Sequence, residues 1–170
     1  MSRYRILVVD DEPPIRRAWA KFLKLKGHVV VQAGSANDAL SEADNHVFDL
    51  VLLDFIMPGM DGIELLAMLR RKQPFLRSII VSGRIDPDLD PADVTKTLNE
   101  TVEADEYLHK PLPNAELAAA IDSVMQRKSE EGWPTLAARA ERAGKKRLGP
   151  VRQVARILRA KKNGRAGKGK

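Results

Sequence analysis

The sequence predicts an α/β protein in which five parallel strands form one sheet and helices cover both of its faces. Five short apolar runs, rich in Val, Ile and Leu and without polar alternation, are typical of strands buried on both sides. Segments with the apolar spacing of helices separate these runs, and strands that alternate with helices indicate parallel pairing.

The first strand and the first helix have the clearest sequence signals for where they begin and end. Residues 5–9 form the first apolar run, and Pro13 then opens a helix, because proline suits a first turn whose N–H is unpaired. Apolar residues recur at helical spacing up to residue 23, which assigns Trp19 and Phe22 to the core. Gly27 closes this helix.

The second strand begins at residues 29–31, and Ser35 with Asp38 forms a capping box that starts the second helix. The buried face of that helix is predicted to consist of Ala36, Ala39, Leu40 and Ala43. Residues 50–54 are the third strand, which ends on Asp54.

A third helix is predicted over residues 63–73, where Pro74 stops it. Its apolar residues are Leu65, Leu66, Met68 and Leu69. Residues 78–82 form the fourth strand.

An Asp/Pro loop follows at residues 86–91, and a helix with a poor apolar stripe is predicted over residues 92–102. Residues 107–109 are a short fifth strand, and Asn114 caps the final helix. The buried face of that helix is predicted to consist of Leu117, Ile121, Val124 and Met125.

Charge divides the chain into two parts. Residues 1–126 carry 14 Lys and Arg against 20 Asp and Glu, a net charge of −6, whereas residues 127–170 carry 15 against 3, a net charge of +12. We therefore assign residues 1–128 to one globular domain and residues 129–170 to a basic tail, partly helical or disordered, with no core of its own. Such a tail can bind nucleic acid, an anionic membrane surface or an acidic partner, or have no specific role.

Composition also limits the function classes. The chain has no cysteine, which excludes disulfides and thiolate metal sites and favours a cytoplasmic location. No apolar run reaches the roughly 18 residues that span a bilayer, so no membrane segment is expected.

Polar residues follow the predicted strands at the point where each strand ends. Asp10 and Asp11 follow the first strand, Asp54 ends the third, Ser82 ends the fourth and Lys110 follows the fifth. In a parallel sheet with right-handed crossovers these ends share one edge. Three carboxylates together call for a cation, and oxygen ligands favour Mg²⁺.

A Mg²⁺ ion beside a Lys and a Ser suits a phosphoryl group, and a carboxylate in such a site can itself be the nucleophile. Taken alone, Asp54 is equally compatible with a simple turn cap. Glu12 is interpreted as charge at the helix N-terminus, near the metal but not required for it. His28 is interpreted as a turn or surface residue, as are the other histidines.

Four motifs together resemble the receiver domain of two-component response regulators. They are Asp10-Asp11, Asp54 with the Met57-Pro58-Gly59-Met60-Asp61-Gly62 turn, Ser82-Gly83, and Tyr107-Leu108-His109-Lys110-Pro111. The resemblance covers roughly residues 3–127 in register. It implies a doubly wound, flavodoxin-like sheet with strand order 2-1-3-4-5.

The resemblance also implies the roles of the site residues. Asp54 would accept the phosphoryl group from a histidine kinase or a phosphotransfer protein. Asp11, Asp54 and the backbone carbonyl of Ile56 would bind Mg²⁺ directly, and Asp10 would act through a metal-bound water. Lys110 would pair with the phosphoryl oxygens. With these roles the chain would be a signalling phosphoacceptor rather than a conventional enzyme.

Ser82 and Tyr107 would form the switch pair, in which the hydroxyl moves toward the phosphoryl group and the ring turns inward. The switch would alter the face made by the fourth helix, fifth strand and fifth helix, which the same resemblance implies as a surface for dimerisation or partner docking.

The chain departs from the family pattern between Ser82 and Lys110, where surplus residues fall in the loop at 86–91. Glu103-Ala104 stands where Gly-Ala is usual, and Arg84 lies where receivers control the access of water to the phosphoryl group. Two other functions stay open: a phosphorylation-gated nucleic-acid-binding regulator that uses the tail, and a receiver-type scaffold that works without phosphate.

Overall fold

The computed structural model describes residues 2–83 and 104–130, with side chains as far as residue 126. The described elements belong to one unit of the chain, Met1–Ser82 together with Ala104–Trp133. The predicted helix over residues 92–102, the loop at 86–91, Arg84 and the tail beyond residue 130 lie outside the described residues. Within that description, no helix is both long and apolar enough to cross a membrane.

The described chain alternates strands and helices as predicted. The strands are β1 (Arg5–Val9), β2 (Val29–Ala33), β3 (Leu50–Asp54), β4 (Arg77–Ser82) and β5 (Glu106–His109). The helices are labelled α1 (Pro13–Leu25), α2 (Ala36–Asn45), α3 (Gly62–Lys72) and α4 (Asn114–Glu130). All pairings are parallel and the strand order is β2-β1-β3-β4-β5, which confirms the predicted topology.

The centre of the sheet is the most buried part of the fold. Every residue of β3 and β4 is buried, because strands lie on both sides of each and helices cover the faces. Trp19 and Leu23 of α1 join one core cluster with Leu117, Ile121 and Val124 of α4. Burial of each such side chain stabilises the fold by about 1.5–3 kcal/mol, so packing holds α1 and α4 against the strands.

Helix ends follow local chemistry. The Ser35 hydroxyl accepts a hydrogen bond from Asp38 N at 3.1 Å, as the capping box predicts, and Gly27 after α1 has a φ of 91°. Helix α3 begins at Gly62, and its cap is Asp61, whose Oδ1 accepts from the amides of Ile63 and Glu64.

One apolar residue of α3 lies outside its buried stripe, and one predicted helix cap was wrong. Met68 is 38% exposed, because it lies about 100° around α3 from the centre of the stripe made by Leu65, Leu66 and Leu69. Asn114 is the first residue of α4 rather than its cap, and Leu117 N bonds to the carbonyl of Pro113 at 3.0 Å.

An ionic cluster that the sequence pattern did not indicate fixes the start of β5. The Asp105 carboxylate accepts from Arg70 Nη2 at 2.9 Å, Arg77 Nη1 at 2.7 Å and Ser78 N at 2.8 Å. Asp105 N also donates to the carbonyl of Ser78 at 3.1 Å. These contacts join α3, β4 and the residue that precedes β5, and they set the register of the strand that carries Tyr107 and leads to Lys110.

Candidate functional site

The carboxyl ends of β1, β3 and β5 bring three charged side chains together. Asp10 directly follows β1, Asp54 is the last residue of β3, and Lys110 directly follows β5. Asp10 is 0% exposed and Asp54 is 5% exposed. Two carboxylates this deeply buried require a compensating cation, and Lys110 supplies it.

The Lys110 ammonium lies between the carboxylates. Its Nζ is 2.7 Å from Asp10 Oδ2 and 3.1 Å from Asp54 Oδ2, and 3.7 Å from Glu12 Oε1. Burial alone lowers the pKa of Lys110, but the hydrogen bond to Asp10 and the charges of Asp54 and Asp10 outweigh it and raise that pKa. Lys110 is therefore a permanent cation in the site.

For Asp54, in contrast to Lys110, burial has a larger effect on the pKa than the opposing charges and hydrogen bonds together. Burial raises the pKa of Asp54, and the charge and hydrogen bond of Lys110 lower it less than burial raises it. The net pKa lies above the ordinary value for Asp, so the Asp54 carboxylate is less stabilised, and more basic, than an exposed one. A basic carboxylate is the better nucleophile.

The loop after β1 curls back on Asp10. Asp10 Oδ1 accepts from Glu12 N at 2.8 Å, an Asx turn, and Arg16 Nη1 donates to the Asp10 carbonyl at 2.6 Å. The turn directs Glu12 to the same side as Asp10.

Among the described residues, Asp10, Glu12 and Asp54 form an acidic group in which one carboxylate oxygen of each lies within 4.8 Å of the other two. The sequence predicted Glu12 near the metal but not as a ligand, and the two-residue offset of an Asx turn was the signal that could have placed it in this group. Asp11 is half-buried and is not in this group, so its role as a metal ligand stays a prediction. Ile56 N donates to Asp54 Oδ1 at 3.3 Å, which places the main chain of Ile56 beside the carboxylate.

The turn after β3 requires glycine at position 62. Gly62 N donates to the carbonyl of Phe55 at 3.0 Å, which draws the start of α3 against the end of β3. A Cβ at Gly62 would lie 2.6 Å from the Asp54 carbonyl oxygen and 3.1 Å from Phe55 Cα. Gly59 in the same turn has a φ of 86°.

Ser82 and Tyr107 each carry a buried hydroxyl. Ser82 is the last residue of β4 and is 6% exposed, and Tyr107 lies in β5 and is 8% exposed. In the described part of the chain, neither Ser82 Oγ nor the Tyr107 hydroxyl has a hydrogen-bond partner. Burial strongly raises the pKa of Tyr107, so its hydroxyl keeps its proton.

Comparison with known proteins decides the family. Residues 6–122 match the response regulator receiver domain. The chain belongs to that family. Every site residue predicted from the sequence lies within the matched range.

Relatives extend the match in sequence and in structure. The transcriptional regulatory protein TcrA of Mycobacterium tuberculosis is 33% identical over 150 residues, which are 88% of this chain and 55% of TcrA. A CheY-like receiver domain protein from Methanospirillum hungatei JF-1 is 30% identical with a TM-score of 0.65, over 77% of this chain and 100% of that one.

The response regulator TrrA of Thermotoga maritima, solved in complex with Mg²⁺-BeF, is 31% identical with a TM-score of 0.57, over 71% of this chain and 97% of that one. The chain spans 38% to 55% of the length of the first curated relatives that it matches. What it shares with them is the receiver domain of two-component response regulators.

Proposed function

We propose that this receiver accepts a phosphoryl group on Asp54 and passes the signal on through a protein-interaction face. The observation that carries the proposal is the placement of a buried Asp54 carboxylate at the end of β3, with the Lys110 ammonium 3.1 Å away and Asp10 beside it. A nucleophile and a cation for the phosphoryl oxygens are thereby adjacent.

The site residues fit a Mg²⁺ ion. Asp10, Glu12 and Asp54 offer only oxygen atoms within 4.8 Å of one another, the ligand set that a hard cation prefers. Asp11 and the Ile56 carbonyl complete the proposed ligands. When bound, the ion would neutralise charge on the phosphoryl oxygens. The Mg²⁺-BeF complex of the relative TrrA supports this assignment.

The proposed transfer step balances with the Asp54 carboxylate and the phosphoryl donor alone, and it involves no oxidation or reduction. A carboxylate oxygen of Asp54 forms a bond to phosphorus while the bond from phosphorus to the donor nitrogen breaks, and the donor imidazole keeps the electron pair. The donor is a phosphohistidine of a histidine kinase or phosphotransfer protein. Lys110 then donates to a phosphoryl oxygen in place of its Asp54 contact. Uptake from a small-molecule donor and slow hydrolysis by water belong to the same proposal.

The two buried hydroxyls suit the proposed switch. Ser82 is the last residue of β4 and lies at the same edge of the sheet as Asp54. Its hydroxyl makes no hydrogen bond within the described part of the chain, so it can turn and donate to a phosphoryl oxygen. Tyr107 then packs into the space behind it. The face affected comprises β5, α4 and the predicted helix over residues 92–102, and we propose it as the surface for partner docking or homodimerisation.

The test measures intact mass after incubation with acetyl phosphate. With Mg²⁺, the native chain should gain one phosphoryl group, whereas the native chain in EDTA and the Asp54→Asn variant should gain none. Asp61→Asn is the matched control, because asparagine also caps a helix and the variant should be phosphorylated normally. A folded native chain that takes up no phosphoryl group would instead support the phosphate-independent scaffold.

A second candidate is phosphorylation-gated nucleic-acid binding. TcrA is named a transcriptional regulatory protein and matches over 150 residues, and the net charge of residues 127–170 is +12. Binding to duplex DNA should then weaken steeply with salt and vanish when residues 129–170 are removed. An anionic membrane surface or an acidic protein are the other proposed tail partners, and a cytoplasmic location stays a prediction.

A further inference from the structure

The Lys110 ammonium has a further neighbour, which the proposed chemistry does not use. Its Nζ lies 5.3 Å from the centroid of the Trp19 ring. Trp19 belongs to α1, is 5% exposed and is part of the core cluster, as its helical spacing predicts. The ammonium therefore contacts an indole face as well as the carboxylates of Asp10 and Asp54.

This contact meets the conditions for a strong cation–π interaction. Tryptophan has the best ring for it, and a cation within about 6 Å of the centroid is attracted, more so when water is excluded. The Lys110 side chain is 11% exposed, and Trp19 is nearly buried. Hydrogen bonds to Asp10 and Asp54 engage two of the three ammonium donors, and Glu12 Oε1 lies 3.7 Å away. The Trp19 ring is the aromatic contact of the same ammonium.

We propose that Trp19 is a positioning residue whose ring face holds the Lys110 ammonium at the phosphoacceptor carboxylate. The effect of Trp19 on phosphorylation rests on the proposed function of Asp54, whereas its contact with Lys110 does not. Phosphoryl transfer changes the carboxylate contacts of Lys110, because Asp54 becomes an acyl phosphate. The ring remains in place because core packing fixes α1, so it keeps a flexible lysine stem oriented while its hydrogen-bond partners change.

The test replaces Trp19 by tryptophan analogues with increasing numbers of ring fluorines. Fluorine withdraws electron density from the ring face and nearly conserves its shape, so packing is retained while attraction for the cation falls. The chain has two tryptophans, and Trp133→Phe removes the other one, so that Trp19 alone carries the label. Single and double fluorination keep the series informative if the most substituted protein does not fold.

The first readout is a double-mutant cycle on urea unfolding, with Lys110→Met as the partner change. Full fluorination should shift the unfolding equilibrium constant about 3- to 10-fold more when Lys110 is present than when it is replaced. An equal shift in both backgrounds overturns the proposal, because it would mean that Trp19 acts only through packing.

The second readout is the rate of phosphorylation by acetyl phosphate at saturating Mg²⁺. The rate should fall in steps with each added fluorine, about 3- to 10-fold over the series. A constant rate across the series overturns the positioning role. The double-mutant cycle on unfolding does not require phosphorylation. A chain that takes up no phosphoryl group would therefore refute the proposed function of Asp54, while the coupling energy between Trp19 and Lys110 would still test their contact.

Discussion

The contact between the start of α3 and the end of β3 leads to a prediction for Gly62→Ala. The added Cβ would lie 2.6 Å from the Asp54 carbonyl oxygen, and ordinary contact begins at 3.4 Å, so the backbones must separate by about 0.8 Å. Such overpacking costs about 1–3 kcal/mol. Gly62 is the first residue of α3, so the advantage of alanine in a helix interior recovers little of this cost. We expect a loss of about 1–3 kcal/mol in the free energy of unfolding.

The same displacement should weaken the site. It separates the backbone of Asp54 and Phe55 from α3 and moves the adjoining main chain of Ile56, so affinity for Mg²⁺ should fall together with stability. Urea unfolding followed by circular dichroism should show a midpoint lower by about 1 M, and a Mg²⁺ titration followed by fluorescence should show weaker binding.

Gly34→Ala is the matched control for Gly62→Ala. Its Cβ would approach within 3.2 Å of Arg16 Nη1, which donates to the Asp10 carbonyl at 2.6 Å. That side chain needs to move by only about 0.2 Å to restore ordinary contact, so Gly34→Ala should reduce stability much less than Gly62→Ala. If Gly62→Ala is as stable as the native chain and binds Mg²⁺ equally well, the close approach of α3 to β3 does not shape the site.

Three further predictions concern charge. Asp105→Asn removes the anion between the buried guanidinium groups of Arg70 and Arg77, and should lower the free energy of unfolding by about 3 kcal/mol in urea titrations. Burial lowers the pKa of His28 below 6.5, with Asp122 opposing it, so fold stability should rise with pH from that lowered pKa to 6.5 and the rise should vanish in His28→Gln. Burial raises the pKa of Asp54 above 3.8, so without metal the native chain should lose stability relative to Asp54→Asn as the pH rises from 3.8 through that pKa.

Each of these three has its own contradicting result. An Asp105→Asn variant with native stability would show that the ionic cluster does not hold β5. Identical pH profiles for His28→Gln and the native chain would mean that burial does not favour the neutral imidazole. A native chain that gains stability over Asp54→Asn between pH 4 and 7 would show that Lys110, rather than burial, dominates the pKa of Asp54.

Strand positions and the site were predictable because both depend on local pattern and sheet geometry. The apolar run that ends on Asp54 identifies its strand, and parallel pairing then brings Asp10 and Lys110 to the same edge without knowledge of any contact. The burial of a residue at the margin of an apolar stripe, such as Met68, was not predictable, because such a residue is buried only if a neighbouring element reaches it.

Contacts between distant side chains were not predictable. Arg70 and Asp105 are separated by 35 residues, and no periodicity links them. The 5.3 Å approach of Lys110 to the Trp19 ring likewise depends on how far α1 tilts against the sheet, which composition does not encode. Glu12 was assigned to helix charge because its spacing fits a first turn, and the Asx turn at Asp10 that redirects it has no apolar signature.

The central claim is that Asp54 is the residue that forms the acyl phosphate. The most direct measurement treats the native chain with acetyl phosphate and Mg²⁺, reduces the product with sodium borohydride, which converts an aspartyl phosphate to homoserine, and maps the change by peptide mass spectrometry. We predict homoserine at position 54 and at no other aspartate. Conversion at Asp10, Asp11 or Asp61 with position 54 unchanged would contradict the assignment.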